Sequence, residues 1–401
     1  MALIPTAEAA DRLGVKRETL YAYVSRGQLT RHPGKGERGS LFDAAEVDAL
    51  AARARRGGRA GALDIVVASA ITSLNGDVLR YRGVEATALA ETATFEAVAE
   101  FLWSGDAAEL DRRARWPVVA VPAAFASDAD PVNRFRAAIA AIAAGDELRY
   151  DLGPRAVAAA GRCAIAAMAA SLPRVAPEAP TLPPTPAGPE APAIAARLWA
   201  GLTPLPPGAA HIAALDAALV LVADHELAVS TLAARVAASA RADPYSVVST
   251  GLGVLAGSLH GGAGREVVAL LEEVGEPGRA GRVVGERLRA GARIPGLGHA
   301  VYRERDPRAD HLLPRVAALA LLPGRWQVVE AVLAIVEERL EVLVNIDFAL
   351  GALAFAAGMR RDASEAIFGV ARAAGWLAHA LEEYGEAPLR FRARAAYTGP
   401  R

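Results

Sequence analysis

Apolar residues along this chain recur at helical spacing almost throughout, and sustained two-residue alternation is scarce. Segments 134–144, 191–200, 213–223, 230–241, 265–274 and 327–341 are rich in Ala, Leu and Val, with polar residues returning every three or four positions. Side chains at that spacing share one face of an α-helix, whereas a half-buried strand needs strict alternation. The pattern predicts a mainly α fold and argues against a large sheet. A chain of 401 residues buries a sizeable core and has room for more than one domain. Residues 244–264 carry no charged side chain, as a membrane span would. That stretch is also rich in Gly and Ser and contains His260, so it is expected to lie buried in protein, with no membrane as partner.

Charge sets an N-terminal unit apart. The formal net charge is −1, so the molecule as a whole is not a polyanion binder. Residues 1–59 nevertheless hold 11 Lys/Arg against 7 Asp/Glu, a net of +4. Thr6 to Val15 reads as a short capped helix with a turn at Gly14, and Lys16 to Gly27 as a second, more basic helix. Helix, glycine turn and basic second helix make a helix-turn-helix, whose second helix can lie in the major groove. With Arg38 to Asp43 as wing and Ala45 to Leu50 as closing helix, residues 1–52 resemble the winged helix-turn-helix domains of excisionases and mercury-type regulators. The resemblance implies DNA as a partner, contacted by Lys16, Arg17, Thr19 and Arg26. The Arg/Gly-rich run 53–60 reads as a linker, and the Pro-rich stretch 173–207 as a surface excursion between helices. Cys163 is the single cysteine, which excludes an intramolecular disulfide and fits a reducing cytoplasm. The first residues lack the basic-then-apolar order of a signal peptide, which points the same way.

Two histidines stand beside glycines. Ser258-Leu259-His260-Gly261-Gly262-Ala263-Gly264 holds one; Arg293-Ile294-Pro295-Gly296-Leu297-Gly298-His299-Ala300-Val301-Tyr302-Arg303 holds the other, followed by Asp306-Pro307-Arg308. Glycine lets backbone come close to a ligand and leaves its N–H groups free. Asp347 lies inside the apolar run 342–356, where a carboxylate is costly unless paired, and this favours a functional role. Spacing alone does not bring these groups together, because 39 residues separate His260 from His299 and a further 48 lead to Asp347. Other motifs fail. Gly251 to Gly257 has one residue too many for a dinucleotide fingerprint, His225-Glu226 lacks the second histidine of a zinc protease, and no Cys/His set has zinc spacing. No metal is expected.

Further segments fall in order around the two histidine loops: Arg80-Tyr81-Arg82-Gly83-Val84, Asp224-His225-Glu226-Leu227, Asn345-Ile346-Asp347-Phe348, Phe368-Gly369-Val370-Ala371-Arg372 and Arg390-Phe391-Arg392-Ala393-Arg394. With them, residues 61–400 resemble the citrate synthase family. The resemblance implies a two-domain helical fold, with a large domain over 61–261 and 362–401 and a small one over 262–361. It implies an acyltransferase that condenses acetyl-CoA or propionyl-CoA with oxaloacetate, with coenzyme A as part of a substrate and no cofactor. A thioester methyl group is a very weak acid, so a base must act while donors hold the developing enol oxygen. By resemblance Asp347 is the base, His260 the donor to the thioester oxygen, and His299 the group that polarises and protonates the ketone. Arg308, Arg372 and Arg392, with His225, match the two carboxylates of oxaloacetate, which guanidinium forks suit better than ammonium groups. Arg293, Gly296, Gly298 and Arg303 stand where the family holds coenzyme A. The arginine at the position of Arg392 reaches in from a second subunit, which implies a homodimer.

The chain departs from many bacterial members at Ala228 and Gly264, where they carry Asn, at Leu297, where they carry an aromatic, and at Ala393, where they carry Pro. Activity is still expected, slower or with a shifted acyl donor. Two readings follow: a condensing enzyme, with acetyl-CoA favoured, and a transcription regulator whose synthase-like domain senses a metabolite.

Overall fold

The computed structural model describes residues 3–13, 15, 19–20, 23–24, 29–33, 40–48, 50, 66–112, 116–121, 129–175, 193–257, 260–319, 321–322, 324–392 and 399. Lys16, Arg17, Arg26, the linker 53–60, residues 176–192 of the Pro-rich stretch and Ala393 lie outside the described residues. The chain divides into two compact units, Met1–Ala68 and Ser69–Arg401.

In the first unit, strands β1 (Leu3–Pro5), β2 (Arg31–Pro33) and β3 (Ser40–Asp43) form an antiparallel sheet in the order β1-β3-β2. Helix α1 (Thr6–Leu13) follows β1 directly and buries Ala9, Ala10 and Leu13. Ile4, Leu20, Leu29, Phe42 and Val47 join Ala9 and Leu13 in a small core. The Thr6 hydroxyl donates to the Ser40 carbonyl at 3.0 Å, fixing the start of α1 to the sheet. Thr19 is helical and exposed.

The second unit is helical apart from one antiparallel meander, β4 (Thr72–Asn75), β5 (Val78–Tyr81) and β6 (Val84–Glu85). The helices are α2 (Ala86–Thr92), α3 (Phe95–Ser104), α4 (Pro131–Gly145), α5 (Pro154–Ser171), α6 (Ile194–Leu202), α7 (Ala209–Leu221), α8 (Val229–Ser239) and α9 (Pro244–Leu255). They continue with α10 (Ala263–Val274), α11 (Ala280–Arg289), α12 (Pro307–Ala318), α13 (Arg325–Arg339), α14 (Ile346–Ala356) and α15 (Ala363–Tyr384). Each segment with helical periodicity overlaps one of these helices. α9 begins at Pro244 behind an Asp243 cap and occupies most of the charge-free stretch. No helix among the described residues is long and apolar enough to cross a membrane.

Two apolar cores organise this unit. The larger surrounds α15, which is buried almost all round although it carries Arg372, His379 and Glu383. Trp103, Phe135, Trp199, Leu252 and Trp376 belong to it. The smaller core joins α10, α11, α13 and α14 through Leu270, Leu271, Val283, Val284, Val329, Val332 and Phe348. α14 serves both: Leu350 and Leu353 face the larger core, Phe348 and Phe355 the smaller.

Candidate active site

The glycine loop around His299 is stitched to the residues just before Asp347. Gly298 N–H donates to the Leu343 carbonyl at 2.8 Å, Asn345 N–H to the Gly296 carbonyl at 2.9 Å, and the Asn345 side-chain amide to the Gly298 carbonyl at 2.8 Å. Gly296 has φ 77°, and a Cβ there would sit 2.6 Å from the Cβ of Phe348, so backbone this close admits no side chain. Asn345 also caps α14, accepting from Asp347 N–H at 3.0 Å and Phe348 N–H at 3.3 Å. The 48-residue separation of His299 from Asp347 is thus closed by three hydrogen bonds, two made by Asn345 and one by Leu343, while two more to the Asn345 side chain start the helix that carries Asp347.

His299 Nδ1 accepts from the backbone N–H of Val301 at 3.0 Å and of Tyr302 at 3.2 Å, which puts the ring proton on Nε2. That Nε2–H faces Nη2 of Arg308 at 3.4 Å. Donor therefore meets donor, and the gap between them calls for an acceptor. Arg308 is buried at the start of α12, with Nε and Nη2 held by the Asp306 carboxylate at 2.9 and 2.8 Å. Tyr302 lies beneath this pair: its hydroxyl is 3.2 Å from Nε2 of His225, and its ring lies 4.7 Å from that of His299 and 5.2 Å from the Arg308 guanidinium. His225, His299, Tyr302 and Arg308 are one cluster.

His260 approaches from another side. The Ser230 hydroxyl accepts from Trp376 Nε1 at 3.3 Å and lies 2.8 Å from Nε2 of His260. Its own proton has no other acceptor among the described residues, so it goes to Nε2 and leaves the His260 proton on Nδ1, free to donate. The His260 ring meets the Phe368 ring edge-on at 6.0 Å, and the Arg372 guanidinium lies 4.4 Å over the same Phe368 ring. Arg372, 1% exposed, spends Nε on the Val222 carbonyl at 2.9 Å and has no ion-pair partner among the described residues. A buried guanidinium with open donors is costly in the empty protein and suits an anion.

The charges act on one another. Burial lowers the affinity of His225 for a proton well below that of ordinary histidine, helped by Arg308 and Arg372. Burial and then Arg372 bring His260 down to about 4, and burial and Arg308 lower His299. All three rings are neutral near pH 7. Burial raises the carboxyl of Asp347 above its usual range; Arg308 and Arg372 pull it down and Asp306 pushes it up. Its carboxylate makes no hydrogen bond among the described residues. Arg372 is thus the common neighbour, its field reaching His225, His260 and Asp347 alike.

Residues 62–394 match the family model "Citrate synthase, C-terminal domain", and residues 6–55 match "Helix-turn-helix domain". The chain belongs to the citrate synthase family. It is 30% identical over 355 residues to 2-methylcitrate synthase of Mycobacterium tuberculosis (strain ATCC 25618 / H37Rv), covering 80% of this chain and 84% of that protein. Citrate synthase 2 of Bacillus subtilis (strain 168) is 39% identical over 197 residues, 48% of this chain and 53% of its own length. The chain spans about half the length of several of the curated relatives it matches. The crystal structure of citrate synthase from Pyrobaculum aerophilum superposes with a TM-score of 0.68 at 26% identity, over 84% of this chain and 91% of that one.

Against other members of the citrate synthase family, the departures have local physical consequences. Ala228 is the N-cap of α8 and offers no side-chain acceptor, a place where Asn would cap. A Cβ on Gly264 would meet the Ser364 hydroxyl at 2.5 Å, so Ser364 fills the space an asparagine needs. That hydroxyl is buried with no partner.

The remaining expected residues lie apart from the cluster. Arg293, Arg303 and Arg392 are exposed, and their side chains have no recorded partner among the described residues; Arg303 is tied only through its N–H, 3.4 Å from the Asp77 carboxylate. Arg390 is bound to Glu383 at 2.7 and 2.6 Å, holding the backbone just before Arg392. Among the described residues no group of three His, Cys, Asp or Glu side chains could hold a metal ion. The sequence had assigned no role to Tyr302, Ser230, Trp376 or Asp306, which all touch the site. Tyr302 and Asp306 lie within the quoted histidine segments, whereas Ser230 and Trp376 lie outside them; the signal for Trp376 is a large ring in a helix buried almost all round. His379 is fully buried between Arg235, 2.9 Å from Nδ1, and Asp224, 3.3 Å from Nε2.

Proposed function

We propose that this chain is an enzyme that joins the α-carbon of an acyl-CoA thioester to the ketone carbon of oxaloacetate and then hydrolyses the thioester. Acetyl-CoA, oxaloacetate and water give citrate and free coenzyme A; propionyl-CoA gives 2-methylcitrate. The observation that carries this reading is the pairing of two buried guanidinium groups and a neutral His299, all with open donors, beside a carboxylate that makes no hydrogen bond. Asp347 takes the α-proton while His260 Nδ1–H holds the thioester oxygen as it becomes an enol. The enol carbon attacks the ketone, whose oxygen receives the Nε2 proton of His299. Arg308, Arg372 and His225 hold the carboxylates, and Arg392 of a second subunit completes the set, which makes the working form a homodimer. Arg293, Gly296, Gly298 and Arg303 take coenzyme A. The smaller core, built only from residues between 267 and 355, supports a body over 262–361 that closes on the large domain, 61–261 with 362–401. The single, half-buried Cys163 fits a reducing cytoplasm.

Free thiol released from acetyl-CoA, dependent on oxaloacetate, tests the reading; none released ends it. The two acyl donors differ by one methylene, worth about 1–3 kcal/mol in an apolar pocket, and acetyl-CoA is the expected choice. A propionyl-CoA preference above roughly tenfold reverses that choice. The helix-turn-helix match favours a second role that coexists with the first: ligand-coupled DNA binding through Lys16, Arg17, Thr19 and Arg26. It requires a salt-sensitive, operator-specific shift that the Lys16→Ala/Arg17→Ala variant loses.

A further inference from the structure

Asp306 is fully buried at the N-cap of α12, and its carboxylate has two tasks at once. Oδ1 accepts from Arg308 N–H at 3.1 Å and Arg308 Nε at 2.9 Å. Oδ2 accepts from Arg308 Nη2 at 2.8 Å and from the backbone N–H of Ile346 at 2.9 Å. Ile346 opens α14, and the next residue is Asp347. One carboxylate therefore fixes both the guanidinium that faces His299 and the first turn of the helix carrying the base. All its acceptor positions point at these two elements, so a shift of either is felt by the other.

We propose that Asp306 is a positioning residue that locks the oxaloacetate-binding arginine to the base-bearing helix and holds that arginine's charge on itself rather than on Asp347. This rests on the reading of the site given above. With Nε and one Nη2 hydrogen committed to Asp306, Arg308 presents Nη1 and the remaining Nη2 hydrogen as a fixed fork. Without the Asp306 charge, Arg308 would bear on Asp347 unopposed and draw the base toward an ion pair. An ion-paired carboxylate is a weaker base, and a thioester α-carbon is too weak an acid to yield to one. The charged groups acting on Asp347 are Arg308 and Asp306 at the start of α12 and Arg372 on α15. On α10, a Cβ built on Gly264 would lie 3.6 Å from the Asp347 carbonyl, and the charged Arg265 of that helix is bound to Glu365 of α15 at 2.7 Å; the charged Arg325 of α13 bonds the far end of α14 at Phe355. Burial raises the Asp347 carboxyl and Asp306 adds to that rise, so neutralising Asp306 must lower it.

The test compares the full-length wild type with Asp306→Asn, Asp306→Ser and Asp306→Glu. Serine keeps the N-cap acceptor for Arg308 N–H and so carries the test if the asparagine variant fails to fold. Oxaloacetate-dependent thiol release is measured across pH, with KM for oxaloacetate at each pH. In the two neutral variants the acid limb of kcat moves to lower pH by roughly half a unit or more, kcat on the plateau falls about tenfold, and KM rises. The glutamate variant keeps the charge, and its acid limb stays near that of the wild type. A folded neutral variant whose acid limb does not move overturns the proposal, whatever happens to kcat, because a merely structural role changes the amount of competent enzyme and not its titration. A wild type that releases no thiol sinks the reading of the site itself, and the proposal falls with it.

Discussion

Replacing Gly251 by alanine should damage catalysis through a chain of three contacts. Gly251 is buried on α9, and a Cβ there would lie 2.4 Å from Cδ2 of Trp376 and 2.6 Å from Cε2 and Cε3. Carbon atoms in ordinary contact stand about 3.5–4.0 Å apart, so the indole must retreat by about 1 Å. Trp376 Nε1 is already 3.3 Å from the Ser230 hydroxyl, and that retreat breaks the bond. Ser230 in turn orients His260 at 2.8 Å. A displacement of about 1 Å at a catalytic group can cost about a hundredfold in rate, and overpacking a tight core costs about 1–3 kcal/mol. Gly251→Ala is therefore expected to lose about a hundredfold in kcat for thiol release, with little change in oxaloacetate binding, and to melt at a lower temperature. Gly253, two residues along the same helix, has no heavy atom within 4 Å of its Cβ direction. Gly253→Ala should leave kcat unchanged and stabilise by about 0.4–1 kcal/mol. A Gly251→Ala enzyme as fast as Gly253→Ala would refute the claim that Trp376 and Ser230 aim His260.

Three further outcomes are expected. Arg372→Met should weaken oxaloacetate binding by about 2–5 kcal/mol by calorimetry while the free protein melts no earlier, since the cation it removes has no ion pair; binding within tenfold of wild type contradicts this. Ala228→Asn should supply the missing N-cap of α8 and stabilise by about 0.5–2 kcal/mol in denaturant titration. Because burial and Arg372 bring folded His260 down to about 4, against about 6.5 for an ordinary histidine, only the unfolded chain takes up its proton between those values. Stability should therefore fall as pH drops from about 6.5 to about 4, and His260→Gln should flatten that slope.

Much of this molecule is legible from sequence because its signals are local. Helical periodicity marks α4, α8, α10 and α13, and glycines mark the turns where histidines approach a ligand. An aspartate in an apolar run announces itself by its cost. The organisation of those parts is a tertiary matter. Nothing in the spacing says that Asn345 ties the His299 loop to Asp347, or that Asp306 reaches back to the Ile346 N–H. That Arg372 has no ion-pair partner among the described residues is equally invisible, because such a lack exists only once the neighbours are packed. His379 looks unremarkable in the chain, yet the fold buries it between Asp224 and Arg235. Gly264 reads as a lost amide until Ser364 is found occupying its space.

The account stands on Asp347 acting as the base that removes a proton from the acyl carbon. The most direct test pairs oxaloacetate binding by calorimetry with thiol release for Asp347→Ala and the wild type. We expect the variant to bind oxaloacetate as the wild type does and to release no thiol above background. An Asp347→Ala protein that turns over at close to the wild-type rate would contradict it.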